Sequence, residues 1–269
     1  MSLWESALLG VVQGLTEFFP VSSSGHLALM QHLFHQGEPD VFFDVVLHAA
    51  TLCAVLYYYR RDVADLARRF LRGAADLPSR GVAPVWRENR GFAFVVLILA
   101  ASVPTGLMGL TLKDHFESIF SNIHAIGAAL LITTALVGLT WFFKTPGKTP
   151  LTVLKALAIG VAQGVAITPG ISRSGATIVC ALGLGVSRTE AARFSFLLSV
   201  PAIAGALALK AGDVSLANLD YAALAVGFLT AAVSGLLALK GLVALLDRGR
   251  FFLFAPYTLA LGLSALLLL

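Results

Sequence analysis

The sequence predicts an all-α, polytopic integral membrane protein, built as a single membrane domain over residues 1–269 with an inverted-topology internal repeat. Three observations predict it: composition, recurring apolar stretches and an internal similarity. Hydrophobic residues make up 58% of the chain, charged residues 13%, and the mean hydropathy is +0.85. The apolar share of soluble domains is close to one half. Because hydrocarbon offers no partners to backbone polar groups, long apolar stretches in such a chain must be helices.

Six apolar stretches are long enough to cross the ~30 Å hydrocarbon core as helices. They cover residues 41–59, 91–112, 122–143, 194–211, 221–246 and 251–269. Two further apolar regions, 1–38 and 151–186, carry polar interruptions between pieces too short to span comfortably. We therefore predict six transmembrane helices plus two re-entrant helical hairpins.

Basic residues indicate the orientation of the chain. Eight Arg lie in the single segment 60–90, and cytoplasmic loops of membrane proteins carry such an excess. This loop is therefore predicted to be cytoplasmic. The formal net charge of +4 is concentrated there, which favours a topology signal and lipid contacts over a nucleic-acid partner. Cys53 and Cys180 lie in apolar stretches and predict packing residues, with neither a disulfide nor a metal site.

The two interrupted regions resemble each other. GVVQGLTEFFPVSSSGH from Gly10 aligns without gaps to GVAQGVAITPGISRSGA from Gly160, an offset of 150 residues. The repeats are predicted to cover approximately residues 1–143 and 151–269. Each would hold one hairpin and three spans, and an odd number of spans inverts the second copy, as in proteins whose broken helices form a site near the membrane midplane.

Irregular backbone at membrane depth needs protein or water around it, so both interruptions are expected to face one polar cavity. The candidate site residues are the polar groups and glycines of the two interruptions: Gln13, Glu17, Ser22, Ser23, Ser24, Gly25, His26, Ser172, Arg173, Ser174, Gly175 and Thr177. Hydroxyls, glycine amides and a helix N-terminus favour an anion, and Arg binds phosphate oxygens in a bidentate manner. Ser, Glu, His and Arg together supply a nucleophile, a base and a cation, which phosphoryl transfer requires. The phosphate would belong to a lipid, because the cavity lies among membrane spans.

Other interpretations stay open at this point. The serines could simply bond to backbone carbonyls or pack closely, and Glu17 could be a structural partner of Arg173. Asp44 and His48 could line the cavity mouth or lie at the interface. A transporter or flippase for a lipid phosphate or an anion would use the same broken helices. A lipid-binding scaffold with an inactive site is a third class.

The chain also resembles a known family, the bacterial undecaprenyl-diphosphate phosphatases of the bacitracin-resistance type. The resemblance is carried by QGLTEFFPVSSSGH (13–26) and PGISRSGAT (169–177), and also by FDVVLHAAT (43–51) and SRTEAARFSFLLSVPAIAGA (187–206). It covers essentially the whole chain.

The resemblance implies removal of the terminal phosphate of undecaprenyl diphosphate in the bacterial cytoplasmic membrane, with the active site facing the periplasmic side. It implies that Glu17, Ser23, His26 and Arg173 are catalytic and that the other candidates bind phosphate. It also implies a divalent cation, Mg²⁺ or Ca²⁺, with Glu17 as its ligand. Gln13 stands where the family motif often has an acidic residue. The nucleophile stays open between Ser23, His26 and water, and small residues on the spans allow a homodimer.

Overall fold

A computed structural model describes residues 2–33, 41–143, 147–210 and 220–267 of the chain. Within these ranges the regular secondary structure is entirely helical, in agreement with the predicted all-α class. The α-helices, numbered in chain order, are α1 Leu3–Phe18, α2 Ser23–Leu33, α3 Val41–Tyr58, α4 Arg60–Arg80, α5 Val82–Glu88, α6 Arg90–Thr111, α7 Lys113–Phe120, α8 Ile123–Leu139, α9 Val153–Val165, α10 Arg173–Gly183, α11 Arg188–Lys210, α12 Tyr221–Asp247 and α13 Ala255–Leu267. Short 3₁₀ turns follow α8 and precede α13.

Four of the described helices, α6, α8, α11 and α12, are long and apolar enough to cross a membrane. A fifth candidate arises if α3 and α4, which meet at an angle of 78°, form one broken span. The predicted sixth span at 251–269 corresponds to a shorter apolar helix, Phe251–Leu267, and its last two residues lie outside the described ranges. The described residues thus hold four or five candidate spans, as expected for a polytopic membrane protein.

The segment 60–90, predicted as a loop, is helical, and that prediction was wrong. It forms α4 and α5, and Asp65 pairs with Arg69 one turn later at 2.6 Å. Leu66 is buried in the same apolar cluster as Leu97 of α6. The amphipathic pattern of α4 is hard to recognise in the sequence because many arginines interrupt it. Its narrow apolar stripe packs against α6.

Helix α12 carries large apolar side chains on its exposed face. Leu229, Val233 and Leu237, spaced four residues apart, are 62%, 61% and 62% exposed. Ala231 and Ala238 on the other face are almost fully buried. A continuous apolar stripe of this kind is unfavourable in water, and it fits a surface that contacts lipid.

The two short helices α1 and α9 each pack on a long helix from the other half of the chain. A Cβ added to Gly10 of α1 would lie 2.5 Å from the Gly227 carbonyl oxygen of α12. A Cβ added to Gly160 of α9 would lie 2.8 Å from Cγ of Pro104 in α6. Glycine is therefore required for the close approach of both helix pairs.

One end of the molecule gathers the basic ends of several helices. Arg193 of α11 donates two hydrogen bonds to Asp62 of α4, both at 2.6 Å. Its guanidinium also lies 4.4 Å from the ring centroid of Phe94 in α6. Arg188 donates to the Phe143 carbonyl beyond α8 at 3.1 Å. These contacts join the start of α11 to α4 and to the chain beyond α8.

Gly10→Ala should destabilise the protein by about 1–3 kcal/mol, because an added methyl group in a filled contact forces backbone shifts. Thermal unfolding of the detergent-solubilised protein would show this as a lowered Tm. Gly106→Ala in α6 is the matched control, since a Cβ there meets no atom within 4 Å. Equal Tm values for the two variants would contradict the close α1–α12 contact.

Candidate functional site

The first polar interruption is a break between α1 and α2 at residues 19–22, called the first break below. Gln13 and Glu17 lie on one face of α1 before it, and the Gln13 amide donates to Glu17 Oε2 at 3.0 Å. Ser22 has a φ of +67°, which is rare for a residue other than glycine. This turn reverses the chain so that α2 begins at Ser23, beside the end of α1.

The second break, residues 166–172, separates α9 from α10. Gly170 turns the chain with a φ of +94°, and Ser172 caps α10 by accepting from the Gly175 amide at 3.1 Å. Thr133, which belongs to the separate helix α8, bonds to the backbone of this break. Its hydroxyl donates to the Gly170 carbonyl at 2.8 Å and accepts from the Ser172 amide at 2.9 Å.

The structure brings the two breaks into direct contact. The Gly170 amide donates to Ser22 Oγ at 3.1 Å, and the Gly25 amide donates to the same oxygen at 3.3 Å. A Cβ at Gly25 would lie 3.4 Å from Cα of Gly170, at van der Waals contact, which shows how close the two breaks lie. Ser22 therefore joins the two breaks through backbone amides that would otherwise be unpaired in an apolar region.

Glu17 is the centre of the assembled cluster. The Ser23 hydroxyl donates to Glu17 Oε2 at 2.6 Å, and Arg173 Nη2 donates to Glu17 Oε1. The carboxylate side chain is only 4% exposed and that of Arg173 is 20% exposed. A buried charge of this kind requires a partner, so Glu17 and Arg173 depend on each other.

The cluster has unused capacity to bind an anion. Arg173 Nη1 is buried and has no hydrogen-bond partner among the residues that the structure describes. Both α2 and α10 begin at the cluster, with Ser23 and Arg173 as their first residues. Helix N-termini carry partial positive charge and free amides, so two of them beside an unpaired guanidinium nitrogen favour a phosphate group.

His26 lies one turn after Ser23 and is held at both ring nitrogens. Nδ1 is 2.8 Å from the Ser22 carbonyl oxygen, and Nε2 is 2.7 Å from the hydroxyl of Tyr257 in α13. The two rings are almost parallel, at an angle of 9° with centroids 5.7 Å apart. The ring therefore has a fixed orientation next to the first break.

The other predicted phosphate-binding residues take different positions. Ser24 Oγ lies 3.3 Å from Ser22 Oγ, and Ser174 Oγ lies 3.2 Å from Ser172 Oγ. Each of these two serines therefore bonds to a serine of its own break. Gly175 sits at the N-terminus of α10. Thr177 instead donates to the Arg173 carbonyl at 2.8 Å and meets Ser195 of α11 at 2.5 Å. Its hydroxyl fixes α10 against α11.

Three further residues lie near the site: His48, which the sequence left between the cavity mouth and the interface, and Thr133 and Tyr257, which the sequence did not single out. His48 Nε2 lies 3.7 Å from Glu17 Oε2, and its Nδ1 is 2.7 Å from the Asp44 carbonyl, which places His48 at the cluster and not at the interface. Thr133 and Tyr257 support the two breaks. His48 belongs to a motif of the resemblance, whereas a lone Thr or Tyr on an apolar helix gives no signal in the sequence.

The resemblance implied a divalent cation, which would need donor atoms at the cluster. Among the described residues no group of three His, Cys, Asp or Glu side chains could hold a metal ion. Glu17 offers carboxylate oxygens, and Gln13 Oε1 is buried and without a hydrogen-bond partner. Mg²⁺ is commonly bound by one or two protein oxygens together with substrate phosphates and water. The residues fit a cation that is shared with a phosphate ligand, but they form no cage for a cation alone.

These features define a helical membrane protein with a buried polar cluster where two broken helices meet, and sequence comparison identifies its family. The chain belongs to the family described as Bacitracin resistance protein BacA, which matches residues 6–264. The undecaprenyl-diphosphatase of Desulfosudis oleivorans is 48% identical over 263 residues, covering 96% of this chain and 95% of the relative. Proteins of the same name from Desulfatibacillum aliphaticivorans and Korarchaeum cryptofilum are 43% and 42% identical, with coverage of 97% and 100% of both chains in each pair.

Thr133→Val should lower the stability of the protein by about 1–3 kcal/mol, because it leaves the Ser172 amide and the Gly170 carbonyl without their partner at nearly constant volume. Thr134→Val is the control and should change stability less. The Thr134 hydroxyl donates to the Leu130 carbonyl of its own helix and to the Thr258 hydroxyl, and Thr258 keeps its own bond to the Phe254 carbonyl when Thr134 is replaced. Chemical or thermal unfolding in detergent would compare them. If both variants matched the wild type, Thr133 would not be supporting the second break.

Proposed function

We propose that this chain is a membrane hydrolase that removes the terminal phosphate of undecaprenyl diphosphate. The products would be undecaprenyl phosphate and inorganic phosphate, which returns the lipid carrier to cell-wall synthesis and confers resistance to bacitracin. The names of the relatives support the substrate. The observation that carries the chemistry is the Ser23 hydroxyl on Glu17, beside an Arg173 whose Nη1 has no partner.

In the scheme we prefer, Ser23 Oγ attacks the terminal phosphorus while Glu17 takes the hydroxyl proton. A bond forms between Ser23 Oγ and phosphorus, and the bond from phosphorus to the bridging oxygen breaks. Undecaprenyl phosphate leaves with that electron pair. Water then attacks the phosphoserine, releases inorganic phosphate and returns a hydroxyl to Ser23.

Arg173 and the helix N-termini would bind the phosphoryl oxygens and stabilise the charge that develops on them. Glu17 would change partners on substrate binding, since phosphate offers Arg173 a second acceptor. The engagement of both ring nitrogens of His26 argues against His26 as the nucleophile. Direct attack by water with Glu17 as base remains the alternative to attack by Ser23.

A divalent cation would be held by Glu17 and Gln13 Oε1 together with the diphosphate. When bound, Mg²⁺ or Ca²⁺ would neutralise phosphate charge and polarise the phosphoryl group. The binding of substrate by Arg173 and the removal of the Ser23 proton by Glu17 are contributions of the chain itself.

For the architecture we propose six spans and two re-entrant hairpins, α1–α2 and α9–α10, in two inverted repeats. Reciprocal packing of the two halves supports this. Helix α1 of the first half contacts α12 of the second, and α9 of the second half contacts α6 of the first. Helices α6 and α12 would occupy equivalent places in the two repeats. The basic helix ends gathered near Arg193 favour a cytoplasmic location for α4 and α5. The membrane would be the bacterial cytoplasmic membrane, with the site open to the periplasmic side. A homodimer stays a prediction.

Replacing the central side chains should abolish most of the activity. Glu17→Gln and Ser23→Ala should lower phosphate release from undecaprenyl diphosphate by about 100- to 10,000-fold, the range for loss of a general base or nucleophile. Purified protein in detergent with lipid substrate is the assay. Glu5→Gln, at the start of α1, and Ser264→Ala, whose hydroxyl bonds only its own helix, should retain wild-type rates.

Each outcome of that assay discriminates between mechanisms or functions. Phosphate trapped on Ser23 would support the covalent scheme, and full loss in Glu17→Gln with a surviving Ser23→Ala would favour direct attack by water. A folded wild-type protein that releases no phosphate would overturn the hydrolase, and lipid flux into liposomes would then test the transport alternative.

Removing divalent cations with EDTA should lower the rate of the wild-type protein by at least about tenfold, because the diphosphate charge would then face Glu17 without compensation. Excess Mg²⁺ or Ca²⁺ should restore it. Thermal unfolding with and without EDTA is the control, since the residues form no cation cage and the Tm should not change. Undiminished hydrolysis in EDTA would show that Arg173 and the helix N-termini suffice.

A further inference from the structure

His26 has an unambiguous hydrogen-bond pattern when its ring is neutral. The Ser22 carbonyl can only accept a hydrogen bond, so Nδ1, 2.8 Å away, must carry the hydrogen. Nε2 then holds a lone pair, and the hydroxyl of Tyr257 at 2.7 Å must donate to it. Hence the Ser22 carbonyl selects the Nδ1–H tautomer of His26, and the Tyr257 hydroxyl, by donating to the remaining lone pair on Nε2, stabilises that tautomer and fixes the plane of its ring.

The Nδ1 bond of His26 reaches the first break at its most constrained point. Ser22 has a φ of +67°, a conformation that costs energy for a residue with a side chain. Its carbonyl belongs to the same peptide unit as the Ser23 amide. The Ser22 carbonyl also accepts from the His26 backbone amide at 3.2 Å, so the ring adds a second bond that fixes the Ser22–Ser23 peptide. That peptide determines where Ser23 Oγ lies relative to Glu17.

Tyr257 is well placed for this role. It comes from α13, whereas Ser22, Ser23 and His26 belong to the first break and α2. Its ring is stacked on the imidazole at an angle of 9°, and it is 50% exposed. Among the described residues its hydroxyl bonds to His26 Nε2, so it would act through His26.

We infer that Tyr257 is a positioning residue for hydrolysis: its hydroxyl donates to Nε2 and holds the His26 ring in place, and His26 in turn holds the peptide that presents Ser23 to Glu17. This inference rests on the proposed phosphatase function for its kinetic consequence. The contact itself does not depend on turnover. Substrate phosphates would be bound by Arg173 and the loop amides, so Tyr257 should affect the reaction step more than substrate binding.

Tyr257→Phe removes the hydroxyl and keeps the stacked ring. We expect kcat to fall about tenfold, the effect of losing one hydrogen bond at a group that must be oriented, with KM within about twofold of the wild-type value. Tyr221→Phe, at the exposed start of α12, is the matched control and should keep the wild-type kcat. A Tyr257→Phe enzyme with wild-type kcat would overturn the inference.

A double-mutant cycle separates positioning from general support. If Tyr257 acts through His26, Tyr257→Phe should change kcat by less than about twofold when His26 is already Ala. A second, independent tenfold loss in the His26→Ala background would show that Tyr257 acts by another route and would contradict the inference.

The third readout needs no activity. Ring ¹⁵N spectra of the solubilised protein should contain one neutral histidine with a protonated Nδ1 and a hydrogen-bonded Nε2, assigned by its absence in His26→Ala. Tyr257→Phe should shift the Nε2 resonance of that histidine, and Tyr221→Phe should not. If the wild type hydrolysed nothing while this shift occurred, the proposed function would fail and the contact would stand. An unchanged spectrum in Tyr257→Phe would refute the contact whatever the activity.

Discussion

The ion pair between Glu17 and Arg173 is the interaction on which the rest of the site depends. Each charge lies among apolar helices, where an unpaired charge would be costly, and each comes from a different broken helix. The pair can form only if the first and second breaks meet. It therefore fixes the relative position of α1 and α10, and with them the N-termini that favour phosphate. Under the proposed function, a substrate phosphate would bind Arg173 at Nη1, which has no hydrogen-bond partner among the described residues.

Hydroxyl groups satisfy the backbone polar groups of the two breaks. Ser22 accepts from the Gly170 amide of the other break, and Thr133 bonds the Gly170 carbonyl and the Ser172 amide. In hydrocarbon no water could replace these partners. Polar residues that looked like candidates for chemistry thus divide into two groups: Ser23 and Arg173 point at Glu17, while Ser22 and Ser172 maintain the turns. Thr177 belongs with the second group through its contact with Ser195.

Sequence reasoning identified most of the cluster but not its support. Glu17, Ser23 and Arg173 were recognisable because ionisable and polar side chains are rare in apolar stretches. Tyr257 and Thr133 were not, because a single hydroxyl on an apolar helix is common and gives no periodic signal. His48 was left between two interpretations, and its distance of 3.7 Å from Glu17 resolves them. The helices in 60–90 were missed because their apolar stripe is narrow and interrupted by many arginines.

The sequence by itself determined the class of protein, because its composition requires helices in lipid. The similarity between residues 10–26 and 160–176 indicates two equivalent breaks, and the polar residues within them indicate the candidate site. Only the tertiary structure decided which atoms meet. Glu17 and Arg173 are 156 residues apart in the chain, and local propensity says nothing about such a distance. Close packing through Gly10 and Gly160 places α1 on α12 and α9 on α6, and that packing depends on the shape of helices elsewhere in the chain.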